Sequence, residues 1–324
     1  MKKVLIFGGG RGMSVLLKGL KQFPVDITAV VTVADDGSST GKLREEFSIP
    51  AVGDIREVLI ALSDTEDQMK ELLEYRFKQK GSNLDNHTVG NVILTAMTKI
   101  TGNLREATKV LTDLFRVKGK ILPFTNDLVT LVAKMSDGSV VEGEHHITEN
   151  SGTIVDIWYK EKPTIAKELL TEIKEANLII FGIGSLYTSI IPNILSEEVV
   201  EAIKHSKAKK LHICNAMTQR GETGGFNVSD TINVLNKYMK GEFLDAVIVS
   251  NTKIPKEVVE RYKDLEQKST ILQDLLLIDE KTNTMNLEVI EEDLIRITKE
   301  GFIEHDYLKT GFAIFSYLMK RDNL

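Results

Sequence analysis

The sequence predicts an α/β fold: a doubly wound, mostly parallel Rossmann-like sheet with a small antiparallel β insertion. Three observations carry that prediction. The chain opens "KKVLIFGGG", an apolar run that ends in glycines, and "RGMSVLLKGLKQF" follows with its apolar residues at helical spacing. "DITAVVTVADDG" then supplies a second, valine-rich run, so strand, helix and strand stand in the order of a right-handed parallel crossover. The same logic returns late in the chain, in "ANLIIFGIGSLYTSIIPNIL", "AKKLHICNAMTQRGETGG" and "LDAVIVSN".

Each element follows from its local pattern. Two lysines before the first apolar run resemble the start of a secretory signal. The run is short, however, and ends in glycines without a small-residue cleavage site, so it reads as a buried strand. "DIREVLIALS", "DQMKELLEYRFKQ", "NVILTAMTKI" and "NLREATKVLTDLF" read as helices, which makes residues 57–117 almost entirely helical. "LVTLVAKMSDGSVVEGEHHIT" alternates and turns at Ser136-Asp137-Gly138-Ser139, the pattern of a β-hairpin. On a hairpin strand the adjacent His145 and His146 point to opposite faces and cannot jointly hold a metal. "TIVDIWYKE" is expected as a third strand of that patch, and "GFIEHDYLKTGFAIFSYLMK" as an amphipathic C-terminal helix. No proline-rich linker, low-complexity tract or repeat divides the chain. Residues 1–324 read as a single α/β domain with the antiparallel insertion at about 128–160.

Composition narrows the function. A chain of 324 residues holds an ample core, and its formal charge of −6 comes without any basic run. Nucleic acid and anionic membrane are therefore weak candidates as partners, and no nucleic-acid partner is expected. The single cysteine, Cys214, forbids an intramolecular disulfide and fits a cytoplasmic address. No apolar stretch is long enough to span a bilayer, so membrane insertion is not expected.

In open parallel sheets, ligands bind beyond the carboxyl ends of the strands, so the loops after strands carry the functional reading. The first is Gly8-Gly9-Gly10-Arg11-Gly12, between strand one and helix one. Its glycines let backbone amides approach phosphate, and the helix N-terminus adds partial positive charge. Met13 stands where a dinucleotide fingerprint needs glycine, which counts against a nicotinamide dehydrogenase. The second is "VADDGSSTGKLRE", where Asp35 and Asp36 precede Gly37, Ser38 and Ser39. It has one residue too few between its glycines for a P-loop. Paired acids beside a hydroxyl-rich loop suit a hard cation such as Mg²⁺, which takes one or two carboxylates together with phosphate oxygens. Asp54 in "VGDIRE" is a second candidate ligand, or else the N-cap of a helix beginning at Ile55. The third loop holds Gly184, Ser185, Tyr187 and Thr188, and the fourth holds Asn215, Thr218 and Arg220, whose guanidinium suits bidentate phosphate contact. Asn91 heads an apolar helix and can cap it. His87, alone in the polar stretch "NHTVGN", is expected at the surface. No catalytic residue is assignable, and no Ser-His-Asp or Cys-His arrangement is legible.

Taken together, "GGGRGMSVLLKGL", "DITAVVTVADDGSSTGKLR", "GDIR", "FGIGSLYTSIIPN" and "NAMTQRGET" resemble the bacterial gluconeogenesis factor family. That family is similar in sequence and fold to the 2-phospho-L-lactate transferases, the CofD-like enzymes. The resemblance runs in order from Val4 to about Phe315, and "VTVADDG" and "GSLYTSIIPN" are its most specific parts. It implies a cytoplasmic protein needed for normal cell shape during gluconeogenic growth, and binding of UDP-sugars, notably UDP-N-acetylglucosamine, rather than a redox cofactor. The transferase relatives move a phospholactyl group from a guanosine diphosphate conjugate to a deazaflavin, using Mg²⁺. By that analogy Asp36 and Asp54 match metal-side carboxylates. Gly8 to Gly12, Ser38, Ser39, Asn91, Ser185, Tyr187 and Thr188 would line the nucleotide cleft.

The chain departs from the family pattern at several places. Arg11 stands at a threonine position, Ile183 at a proline, and "NHTVGN" replaces "GHSLGN". Glu304 stands where the family carries an arginine linked to sugar-nucleotide binding, and Tyr307 at a threonine position. An anion at Glu304 weakens diphosphate binding if that side chain faces the ligand, and Arg11 can compensate. Three readings follow: a nucleotide-sugar-binding regulator, a phospholactyl-type transferase and a dehydrogenase, of which the resemblance favours the first. Homo-oligomerisation and a protein partner in cell-wall control are compatible with the sequence, which specifies neither.

Overall fold

The computed structural model describes residues 1–320 apart from 66, 151, 259–260, 262–271 and 300. The strands in chain order are β1 (Lys2–Gly8), β2 (Val25–Val31), β3 (Lys120–Pro123), β4 (Leu131–Met135), β5 (Val140–Glu142), β6 (Ile154–Tyr159) and β7 (Leu178–Phe181). They continue with β8 (Lys209–Ile213), β9 (Met217–Gln219), β10 (Ala246–Ser250), β11 (Leu272–Leu275), β12 (Glu288–Glu292), β13 (Ile295–Ile297) and β14 (Ile303–His305). Seven of them form one sheet in the order β12-β10-β8-β7-β1-β2-β3. Each neighbouring pair is parallel, with Val4 opposite both Ile27 and Leu178. β5-β4-β6 form a separate antiparallel sheet, and β9–β11 and β13–β14 are antiparallel pairs. The fold class read from the sequence is the one observed.

Both faces of the large sheet are buried, which is why its strands read as continuous apolar runs. Val4 and Ile6 of β1 face one core, shared with Leu16 and Leu17 of helix α1 (Gly10–Leu20) and Ile314 of the C-terminal helix Tyr307–Lys320. Leu5 and Phe7 face the other, packing with Ile173, Val199 and Ile232 and with Ala133 of the small sheet. The rings of Phe7 and Phe181 stack there across β1 and β7, with centroids 5.6 Å apart. Among the described residues no helix is long and apolar enough to cross a membrane.

Three local expectations are corrected. Residues 57–117 are not continuously helical: α2 (Ser38–Phe47) and α3 (Gly53–Leu62) are followed by α4 (Asp67–Glu74), α5 (Val89–Thr101) and α6 (Leu104–Leu114). Between Glu74 and Val89 the backbone folds on itself, with Phe77 N–H donating to His87 O and Asn86 N–H to Phe77 O. The hairpin ends at Glu142, because Gly143 turns with φ +94° and α7 (Glu144–Glu149) begins. His145 and His146 therefore lie on a helix, not on a strand. His87, expected at the surface, is 4% exposed.

Candidate functional site

β1 and β7 are neighbours, yet β1 leads outward to β2 and β3 while β7 leads the other way to β8, β10 and β12. Their loops leave the sheet at this switch point, and the cavity of this rim lies on the β2 side of it, lined by residues within 35–40 and 53–57 and by 76, 91 and 144–145. The Gly8 to Gly12 loop lies against the loop after β7 so closely that a Cβ on Gly12 would overlap the carbonyl of Ile183. A Cβ on Gly184 would lie 3.6 Å from Gly9 O. On the other side, a Cβ on Gly9 would overlap Asp54 Oδ2 and lie 2.7 Å from Thr32 Cγ2. Gly10 takes φ +59°, the left-handed region that glycine allows, as the chain enters α1.

Three helices begin at this rim, and none has a side-chain cap at its N-terminus. Their first-turn N–H groups are the fixed partial positive charges of the site. Asp54 is not the cap of its helix. Val52 holds that position, and the Asp54 carboxylate turns toward Gly9 and Gly10 instead. Among the described residues, no hydrogen bond reaches the Asp54 carboxylate. The cleft beside it measures about 240 Å³. Its walls carry both signs of charge: Asp35, Asp54 and Glu144 on one hand, Arg56 and Arg76 on the other.

The carboxylates repel one another and are poorly solvated. Burial raises the Asp54 carboxyl well above its ordinary range, and Asp35, Glu57 and Glu144 add to the shift. Burial, then the charge of Asp35, lifts Glu144 to about 7. Asp35 is raised by burial as well, although it accepts the Gly37 N–H at 2.9 Å. Asp36 faces elsewhere: its Oδ1 accepts the His145 N–H at 2.8 Å and so caps α7 from outside that helix. Of the two adjacent acids, Asp35 lines the cleft and Asp36 ties the loop to the insertion. Arg44 reinforces the tie by donating to the carbonyls of Ala34 and Val129.

A buried polar chain forms the floor. Thr88, not Asn91, caps α5, its hydroxyl accepting Asn91 N–H. The Asn91 side chain is thereby available to link Arg56 Nη1, which donates to Asn91 Oδ1 at 3.1 Å, to Ser39 Oγ, which accepts from Asn91 Nδ2 at 3.2 Å. Ser39 Oγ in turn lies 3.0 Å from His87 Nδ1.

The third and fourth loops lock to each other. Asn215 pairs with Gly184 in both directions, Oδ1 accepting its N–H and Nδ2 donating to its carbonyl. Ser185 Oγ lies 2.9 Å from Gln219 Oε1, to which it donates. The segment after Ser185 is one π-helical turn, Leu186–Ile190, followed by a 3₁₀ turn, Ile191–Ile194. Buried Glu222 holds that turn, accepting Tyr187 N–H at 2.9 Å and the Thr188 hydroxyl at 2.8 Å. Thr218 is buried in the same loop, while Arg11 and Arg220 are exposed. Glu304 pairs with Arg296 across β13–β14 at 3.0 Å.

The cleft thus brings Asp35, Gly37, Ser38, Ser39, Asp54 and Asn91 to one cavity, and the glycine loop touches its acidic corner. Gly184, Ser185, Tyr187, Thr188, Asn215 and Thr218 belong to the adjoining lock between the loops after β7 and β8. Arg56, Arg76 and Glu144 also line the cavity: Arg56 belongs to the "GDIR" stretch, in which only Asp54 is singled out from sequence, and Arg76 and Glu144 carry no local motif that announces them.

Known proteins resemble this chain closely. The family model described as 2-phospho-L-lactate transferase CofD matches residues 4–295. The gluconeogenesis factor of Bacillus subtilis is 44% identical over 317 residues, covering 98% of each chain. The gluconeogenesis factor of Listeria innocua is 37% identical and covers 99% of this chain and 97% of its own. A crystal structure of a Bacillus halodurans protein superposes with a TM-score of 0.91 at 37% identity, covering 97% of this chain and 99% of that one. A nearly full-length family match, backed by relatives of this identity and coverage, places this chain in the CofD family.

Proposed function

We propose that the chain is a nucleotide-sugar-binding factor acting in gluconeogenic growth and cell-shape control in the cytoplasm, with a UDP-sugar such as UDP-N-acetylglucosamine held at the switch-point cleft. One observation carries this reading: the uncapped N-termini of α2 and α3 open on a single cavity, and the glycine loop that leads into α1, too tight for side chains, meets Asp54 at its edge. Backbone amides arranged this way recognise a pyrophosphate. The names of the Bacillus and Listeria relatives support the gluconeogenic setting.

Asp54, without a hydrogen-bond partner among the described residues, and Asp35 fit one hard divalent cation. Among the described residues no three His, Cys, Asp or Glu side chains cluster as a ready metal cage. That pattern suits Mg²⁺, which uses one or two carboxylates and completes its shell with phosphate oxygens and water. Bound there, the ion would supply the positive charge that lets carboxylates and phosphate share one corner. The residues of this chain do the remainder: amides of the first turns orient the diphosphate, and Arg56 and Arg76, which line the same cavity, balance its charge.

UDP-N-acetylglucosamine is expected to raise the melting temperature of the purified protein, as any ligand of the native state does. No shift at millimolar ligand, with or without Mg²⁺, defeats the reading. The family match favours a second one, a phospholactyl-type transferase, which turnover of a deazaflavin acceptor would establish.

A further inference from the structure

A carboxylate that lines a phosphate-binding cavity repels its ligand unless something else uses it. On the reading above, a cation uses Asp35 and Asp54. Glu144 stands apart from them. It comes from α7, in the insertion, and lines the same cavity. Yet among the described residues no three acids, histidines or cysteines group closely enough to hold a metal ion. Mg²⁺ takes one or two carboxylates, so the third is left for another task.

That task is not the capping of its own helix. Gly143 holds the cap position of α7, and the His145 N–H goes to Asp36 Oδ1. The one hydrogen bond that the Glu144 carboxylate receives among the described residues comes from the Thr148 hydroxyl, which donates to Oε1 at 3.0 Å. Thr148 lies one turn further along the same helix, so this bond orients the carboxylate and leaves Oε2 an acceptor without a donor. The group is turned toward the site. Its charge acts on Asp54, and the charges of Asp35, Glu222 and Asp36 act on it. Oε2 therefore stands where the cavity meets the lock that Glu222 holds.

An ionised carboxylate only accepts hydrogen bonds, and a fully ionised diphosphate has no hydrogen to give. A diphosphate that carries a sugar does have such hydrogens, on the sugar hydroxyls. We propose that Glu144 is a specificity-determining residue that accepts hydroxyl hydrogens from a sugar of the ligand, so that the cavity prefers a sugar-bearing diphosphate to a bare one. The proposal rests on the nucleotide-sugar reading and deepens it. The diphosphate lies along the first turns of α2 and α3, and the hydroxyls reach α7. One acid thereby discriminates in both directions, repelling an unadorned phosphate and holding a hydroxyl.

The test is calorimetric titration of the full chain with Mg²⁺ at pH 8, above the Glu144 pKa of about 7, so that the carboxylate is ionised. Four probes are compared: inorganic pyrophosphate, 2′,3′-dideoxyuridine diphosphate, UDP and UDP-N-acetylglucosamine. Glu144→Ala should weaken UDP-N-acetylglucosamine at least about tenfold, the scale of a hydrogen bond to a charged group. It should leave pyrophosphate and the dideoxynucleotide unchanged or tighter, because a like charge has gone. A loss that begins with UDP assigns the ribose hydroxyls, and a loss confined to UDP-N-acetylglucosamine assigns the hexose. Glu144→Gln keeps the side-chain volume and should rank the probes in the same order, which serves if the alanine variant folds poorly. Equal losses for all four probes, no loss for any, or a loss for the dideoxynucleotide as large as for UDP overturns the role of Glu144 and leaves the binding reading standing. Failure of every probe to bind the parent protein overturns both.

Discussion

Asp54 Oδ2 occupies the space in which a side chain on Gly9 would begin. The acid and the glycine are therefore one unit: the loop comes this close only because residue 9 has no Cβ. Gly9→Ala should destabilise the protein by about 1–3 kcal/mol, the usual cost of forcing atoms into a packed site. Adding Asp54→Ala should recover part of that loss, and Thr32 Cγ2 should prevent full recovery. Denaturant melts of the two single variants and the double variant measure the coupling.

Asp54→Asn should act in opposite directions on the free and liganded protein. The folded-state carboxyl of Asp54 is raised, so its ionisation penalises folding as pH climbs above the ordinary aspartate range. The amide removes that penalty, and the ligand-free variant should melt higher than the parent at pH 8. The same variant should lose any Mg²⁺-dependent gain. Thermal melts with and without Mg²⁺ read both effects, and an unchanged Mg²⁺ response would show that the ion is held elsewhere.

Glu144 gives a pH window. Its folded pKa of about 7 lies above the ordinary 4.5, so the native state holds an extra proton between those values. Stability from this group is intact below pH 4.5 and falls as pH rises toward 7. Glu144→Gln should match the parent at pH 4.5 and exceed it by about 1–2 kcal/mol at pH 8, allowing for the partial exposure of the side chain. Chemical denaturation across that range checks the sign.

Thr188→Val should cost about 1–3 kcal/mol, because it strips a partner from buried Glu222. Thr188→Ser should retain most of the stability. Since Glu222 also holds the Tyr187 N–H, the valine variant should loosen the π-helical turn, visible as faster amide exchange over residues 186–190.

The sheet was legible because burial on both faces writes itself into sequence as apolar runs, and the loops after those runs were legible because glycine and hydroxyls mark them. What escaped depends on contacts between distant segments. Nothing near "EGEHHITE" says that Asp36 will receive the His145 N–H across 109 positions and turn a strand into a helix. Nothing near "NHTVGN" says that Ser39 will meet His87 and carry it out of solvent. Asp54 looked like a cap because it stands beside a helix start. The structure sets the helix boundary two residues earlier than the sequence suggested and leaves the carboxylate for the glycine loop.

The bond from Asp36 to α7 has a practical consequence. α7 begins where Gly143 N–H donates to Leu131 O of β4, and β4 pairs with β6, which carries Trp158, the chain's sole tryptophan. Partly exposed and free of competing indoles, Trp158 is a built-in optical gauge mounted on the insertion. A titrant that shifts the loop after β2 should be readable as a change in its emission, with no dye and no label attached.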